Sequence, residues 1–110
     1  MPPPPPGIDL ENEILPSVYT LEQSFPNPFN SSTVIKFQLP YNSKVKLKIY
    51  DLLGQEVETL VNESQSAGNQ QVTWNANHVA SGLYFYKIEA TSIADPSKSY
   101  TNIMKMILIK

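Results

Sequence analysis

From Val18 onward apolar and polar residues alternate with period two, and turn residues interrupt the alternation about every ten positions, the pattern of short antiparallel strands. The clearest stretch is Lys44 to Tyr50, where Val45, Leu47 and Ile49 share one face and Lys44, Lys46 and Lys48 the other. That strand buries one side and wets the other. Thr33 to Leu39 reads the same way, with Ile35, Phe37 and Leu39 inward and Lys36 and Gln38 outward, and it stops at Pro40. The loop Pro40 to Ser43 is expected to return the chain as a hairpin, and Asp51 to Gly54 forms a second turn with Gly54 free to take a positive φ. Glu56 to Val61 follows as a short strand with Glu56 and Glu58 outward. Gly68 and Asn69 are read as a third turn before Gln71 to Asn75, where Val72 and Trp74 share a face. Leu83 to Thr91 is a long strand, and Tyr100 to Ile109 is the last.

These are six strands, or seven if Val18 to Glu22 pairs at an edge, and no segment shows a capped 3.6-residue period that would make a helix. The fold class is all-β: an immunoglobulin-like antiparallel β-sandwich of about seven strands, with a small barrel as the alternative. Residues 1–16 read as a Pro-rich linker and 17–110 as the single domain. In the linker, Pro2 to Pro6 suit polyproline II and span about 16 Å. The acidic patch Asp9, Glu11 and Glu13 lacks the spacing of a calcium loop and reads as solvated charge.

Composition removes most chemistry. The 110 residues carry ten acids and eight bases for a net charge of -2, and all eight bases are Lys. Neither a basic footprint nor an Arg fork for guanine or phosphate exists, so no nucleic-acid partner is expected. With no Cys, thiolate metal sites, disulfides and Cys nucleophiles are excluded. The single His78 sits in an Asn-rich loop with no acid or Ser placed beside it by a motif, and no carboxylate pair lies in an apolar stretch that would raise a pKa for acid catalysis. No enzymatic role, cofactor or metal is expected. No apolar run reaches the length of a membrane helix, so direct membrane insertion is not expected either.

Three surface features remain. Lys44, Lys46 and Lys48 form a row that is expected to serve solubility and edge protection rather than to dock an anionic partner. Tyr84, Phe85 and Tyr86 occupy both faces of one strand, which keeps a sugar-stacking module open as a rival reading. The third is the close of the sequence: Ile103, Met104, Met106, Ile107, Leu108 and Ile109 are apolar and only Lys110 follows. Such a segment must be paired in the sheet, with Met104, Met106 and Leu108 toward the core and Ile107 and Ile109 toward the other surface.

The run Tyr19 to Asn30, with Phe25-Pro26-Asn27-Pro28-Phe29 at its heart, then Thr33-Val34-Ile35-Lys36-Phe37 and Leu39-Pro40, closely resembles the opening of type IX secretion system C-terminal sorting domains of type A. Ile49-Tyr50-Asp51 with Gly54, Ala67-Gly68, Val72-Thr73-Trp74 and Ser81-Gly82-Leu83-Tyr84 continue in register, and Lys105-Met106-Ile107-Leu108-Ile109-Lys110 looks like the family's lysine-flanked final strand. The chain is also similar to the Ig-like module of flagellar hook-capping proteins. The resemblance implies a non-catalytic sorting signal, fused behind a larger cargo, that directs it across the outer membrane of a Gram-negative bacterium to the cell surface. Implied partners are the type IX machinery and a surface sortase-like peptidase that cuts in the linker. Lys105, Met106, Ile107, Leu108, Ile109 and Lys110 are the candidate recognition residues. Pro26, Asn27, Pro28 and Phe29 would fix the entry of the chain, and Gly54, Gly68 and Gly82 would serve turns. Removing Met106 to Lys110 is expected to block export while most of the fold survives, and a homodimer through the final strand is a further expectation. The alternatives are a carbohydrate-binding module or a passive spacer of a secreted enzyme.

Overall fold

The computed structural model describes residues 15–110, so the expectations for Pro2 to Pro6 and for Asp9, Glu11 and Glu13 lie outside the described residues. Seven strands follow one another: β1 (Thr20–Leu21), β2 (Ser32–Leu39), β3 (Ser43–Tyr50), β4 (Glu56–Gln65), β5 (Gly68–Asn75), β6 (Gly82–Ser92) and β7 (Ser99–Leu108). They make one sheet in the order β1-β2-β5 and another in the order β4-β3-β6-β7, and every pairing is antiparallel. Strict alternation makes one face of each strand apolar, and two such faces are satisfied only against each other. The result is the expected immunoglobulin-like sandwich. Its core takes Ile35, Phe37 and Leu39 from β2, Val45, Leu47 and Ile49 from β3, Trp74 from β5, Tyr84, Tyr86 and Ile88 from β6, and Met106 and Leu108 from β7.

The connections differ from the sequence reading at three places. Pro40–Asn42 is not a hairpin: β2 pairs with β1 and β5, whereas β3 pairs with β4 and β6 in the other sheet. The chain crosses the sandwich there, with Ser43 buried and its hydroxyl donating to the carbonyl of Tyr41 at 2.8 Å. A turn-rich break between two alternating runs is required by either connection, so the local pattern does not separate them. Gly68 and Asn69 are the first residues of β5, opposite Leu39 and Gln38, and the crossing lies at Ser66 and Ala67. Asn42 fastens it by accepting the Ala67 amide at 2.9 Å.

The third difference is in β4. Its register against β3 shifts between Leu47 and Lys48 and again between Ile49 and Tyr50. Each bulge adds a residue and resets the alternation. Glu56 stays outward and pairs with Lys48 at 2.7 Å, but Glu58 falls opposite the inward Ile49 and is half-buried at the sheet margin, where it meets His78 at 3.2 Å. The Glu56 carboxylate, by hydrogen bond and charge, holds the Lys48 ammonium above its ordinary pKa.

Candidate functional site

The strand β7 lies at the edge of its sheet and runs in unbroken register along β6 from Thr91 opposite Ser99 to Gly82 opposite Leu108. Alternation divides the six candidate recognition residues into two sets. Met106 and Leu108 are 0% and 1% exposed and belong to the core. Lys105, Ile107, Ile109 and Lys110 are exposed, Ile107 at 43% and Ile109 at 56%, and Ile103 joins their row at 55%. No outward side chain of this row is hidden by another element, whereas no inward one is accessible to a partner.

The backbone edge of β7 is occupied. The amide of Phe29 donates to the carbonyl of Ile107 and the amide of Ile109 donates to the carbonyl of Phe29, both at 2.9 Å. The amide of Ile107 donates to Oδ1 of Asn27 and Nε2 of Gln23 donates to the carbonyl of Lys105, again at 2.9 Å. The segment Gln23–Phe29 therefore lies along β7 as a strap. Pro26 and Pro28, both preceded by cis peptide bonds, carry no amide hydrogen that would need a partner in this turn. The carbonyl of Pro26 accepts the Thr33 hydroxyl at 2.7 Å, and the Phe29 ring is buried against Trp74 with centroids 5.7 Å apart. The four residues expected to fix the entry of the chain thus reach a strand about 80 positions away.

Two residues that sequence reasoning did not connect with the chain entry, Tyr86 and Gln23, hold the strap. Tyr86, fully buried on β6, accepts the amide of Ser24 at 2.9 Å and donates to the carbonyl of Glu22 at 2.7 Å. An inward tyrosine implies a partner for its hydroxyl, and that is the signal by which it was discoverable. Gln23 had no such signal. Burial pushes the Tyr86 phenol above the ordinary tyrosine pKa near 10, against a smaller lowering pull from Ser24. The proton is held more tightly in the folded state, so this contribution to stability is complete below pH 10 and is lost as pH rises through the folded value. Tyr86→Phe leaves the Ser24 amide and Glu22 carbonyl without their partner and is expected to cost about 1–3 kcal/mol at neutral pH. Urea midpoints compared from about pH 8 to about pH 11 should show the gap between parent and variant narrowing at the alkaline end.

The remaining sequence candidates take other places. Gly54, at φ +83, closes the β3–β4 turn, where its amide donates to the carbonyl of Asp51 and the Asp51 carboxylate accepts the amides of Leu53 and Gln55. Gly68 opens β5 and Gly82 opens β6 opposite Leu108. Tyr84 and Tyr86 are buried, so neither offers a ring face to a sugar. The half-exposed tyrosines lie elsewhere: Tyr19 and Tyr100 stack face to face at 5.7 Å, and Lys98 covers the Tyr41 ring at 4.8 Å. Outside Phe85, Ile103 and Leu52 line a shallow apolar groove on the wet face of the four-stranded sheet.

Compared with known proteins, residues 23–104 match the sequence model of a family described as "Secretion system C-terminal sorting domain". No curated protein matches the chain in sequence. Among solved structures, dimeric latent PorU from Porphyromonas gingivalis superposes with a TM-score of 0.65 at 22% identity, over 87% of this chain and 10% of that one. CopC from Methylosinus trichosporium OB3b gives 0.54 at 16% identity, over 82% of this chain and 92% of that one. PorZ, a surface component of the type IX secretion system of Porphyromonas gingivalis, gives 0.49 at 18% identity, over 80% and 11%. At these identities the likenesses to PorU and CopC show the fold alone, and the chain spans about a tenth of the length of PorU.

Proposed function

The chain belongs to the family of secretion system C-terminal sorting domains, and from that premise we propose that its signal is read from the outward side chains of β7, with Lys105, Ile107, Ile109 and Lys110 as the residues in contact. Domains of this family are non-catalytic sorting signals of the type IX secretion system, and this one directs a fused cargo across the outer membrane to the cell surface. Met106 and Leu108 serve the signal indirectly, by seating the strand. The observation that carries this reading is the row of exposed isoleucines, 103 and 107 on the edge strand and 109 just past its end, whose side chains form an apolar strip on the surface.

The sorting unit in this reading is residues 17–110, and a surface sortase-like peptidase separates it from the cargo in the segment before it. The full protein has no catalytic activity within these residues. Self-association through β7, the remaining partner of this reading, needs an edge that the folded monomer keeps occupied.

The test is a reporter fused ahead of residues 17–110 in a type IX host. Exchanging Lys105→Glu, Ile107→Thr and Ile109→Thr together is expected to lower surface delivery by about tenfold or more, the equivalent of about 1.4 kcal/mol in recognition. The melting temperature should stay close to the parent's, because each exchanged side chain is exposed. Lys44→Glu with Lys46→Glu, on the far end of the same sheet, should leave delivery intact. Undiminished export of the β7 triple variant would return the domain to a spacer whose surface is not read.

A further inference from the structure

We propose that Gln23–Phe29 is a cover over a self-complementary edge, and that releasing it lets β7 pair antiparallel with β7 of a second copy of this chain. The claim concerns association of the domain itself and stands whichever residues the secretion machinery reads. Edge strands expose unpaired amides and carbonyls, and proteins blunt them by shortening, bulging or covering them. Of the other three edges, β1 has two residues and β4 carries two bulges, while β5 opens on Gly68 and is mostly polar, with Asn69, Gln70, Gln71, Thr73 and Asn75. By contrast β7 has ten residues in unbroken register with β6, and Ile103 to Ile109 contain one charge, no Pro and no Gly. Such a segment is a strong pairing template, and among the described residues its cover is the strap.

The cover is incomplete in a way that fixes the register. Outward-facing backbone groups belong to the odd-numbered residues, and the strap bonds reach Lys105, Ile107 and Ile109. Toward the start of β7 the edge at Thr101 has no strap contact. An antiparallel pair centred on Ile103 sets Ile103 against Ile103 and Thr101 against Lys105, which avoids a lysine opposite a lysine. That pair needs the backbone of Lys105 and Ile107, which Gln23, Asn27 and Phe29 now hold. It also needs the Ile103 amide, which now donates to Oδ1 of the neighbouring Asn102 at 2.9 Å and would exchange that local bond for the inter-strand one. Two of these four bonds come from side chains on the exposed Gln23 and Asn27, so the strap can be loosened without entering the core.

Sedimentation equilibrium of the full 110-residue chain tests this. Gln23→Ala with Asn27→Ala is expected to dimerise with a dissociation constant at least about tenfold below the parent's, given two hydrogen bonds lost. Hydrogen exchange should show the Ile107 amide losing protection in the monomer. Adding Thr101→Pro, whose missing amide faces the edge rather than β6, should restore the monomer. Asn27→Ala alone should move in the same direction by less. A double variant that stays as monomeric as the parent overturns the proposal whether or not Ile107 is exposed, as does a parent that dimerises equally tightly or a dimer that survives Thr101→Pro.

Discussion

A chain ended after Lys105 is expected to unfold, not merely to lose its signal. The five residues removed include Met106 and Leu108, which are 0% and 1% exposed. Deleting a buried side chain of this size costs about 2–5 kcal/mol, so the pair alone removes about 4–10 kcal/mol from a domain whose total is about 5–15. The loss extends further, because Ile107 and Ile109 are the residues that hold both backbone bonds of Phe29, and the Phe29 ring in turn covers Trp74. The expectation that most of the fold outlives this truncation is therefore overturned by the alternation of β7: a cut that removes the readable side chains also removes the inward ones. Circular dichroism melts of the truncated chain should show no cooperative transition. Removal of Ile109 and Lys110 alone takes away two exposed side chains and is expected to leave a cooperative melt at a lower midpoint, through the lost Phe29 carbonyl bond and the contact of the Lys110 ammonium with the Asn77 carbonyl. A sharp transition in the longer truncation would show that β7 is dispensable to the core.

The same alternation explains what was legible in the sequence. In β2, β3 and β7 the period of two is unbroken, and the faces read from Ile35, Val45 and Met106 are the faces the structure buries. In β4 two bulges reset the phase, and a sequence pattern holds no count of residues left unpaired. Glu58 was misplaced for that reason. The crossings at Pro40–Asn42 and Ser66–Ala67 were hidden because turn chemistry reports that a strand ends, not which sheet the next one joins. The strap shows the limit most plainly: resemblance marked Pro26 to Phe29 as distinctive, but their partner is Ile107, and a bond between Asn27 and a residue about 80 positions later leaves no local trace. The terminal segment stood out in the sequence as an oddity of composition, while its division into a seated half and an exposed half required the neighbouring sheet.

Phe29→Ala is expected to cost about 3–5 kcal/mol, the range for a buried aromatic reduced to a methyl group. The cost has two sources that a double-mutant cycle separates. Phe29 touches Trp74 at 5.7 Å, and Trp74 touches Tyr84 edge-on at 5.4 Å, so one aromatic chain runs from the strap through β5 to β6. Trp74→Ala should cost a similar amount, since its side chain is 0% exposed. If the ring contact carries coupling, the two losses combined should fall short of additivity by about 0.5–1.5 kcal/mol, the usual worth of an aromatic pair. Anything left in Phe29→Ala beyond that coupling and the lost burial belongs to the strap, and it should appear as loss of hydrogen-exchange protection at Ile107 and Ile109 while the amides in the middle of β3 stay protected. Trp74→Ala should leave the strap bonds in place at Asn27 and Gln23, because these reach β7 without passing through the indole. Strict additivity of the two substitutions would mean that the strap is fastened by its hydrogen bonds to β7, Thr33 and Tyr86, with the Phe29 ring contributing burial and nothing to alignment.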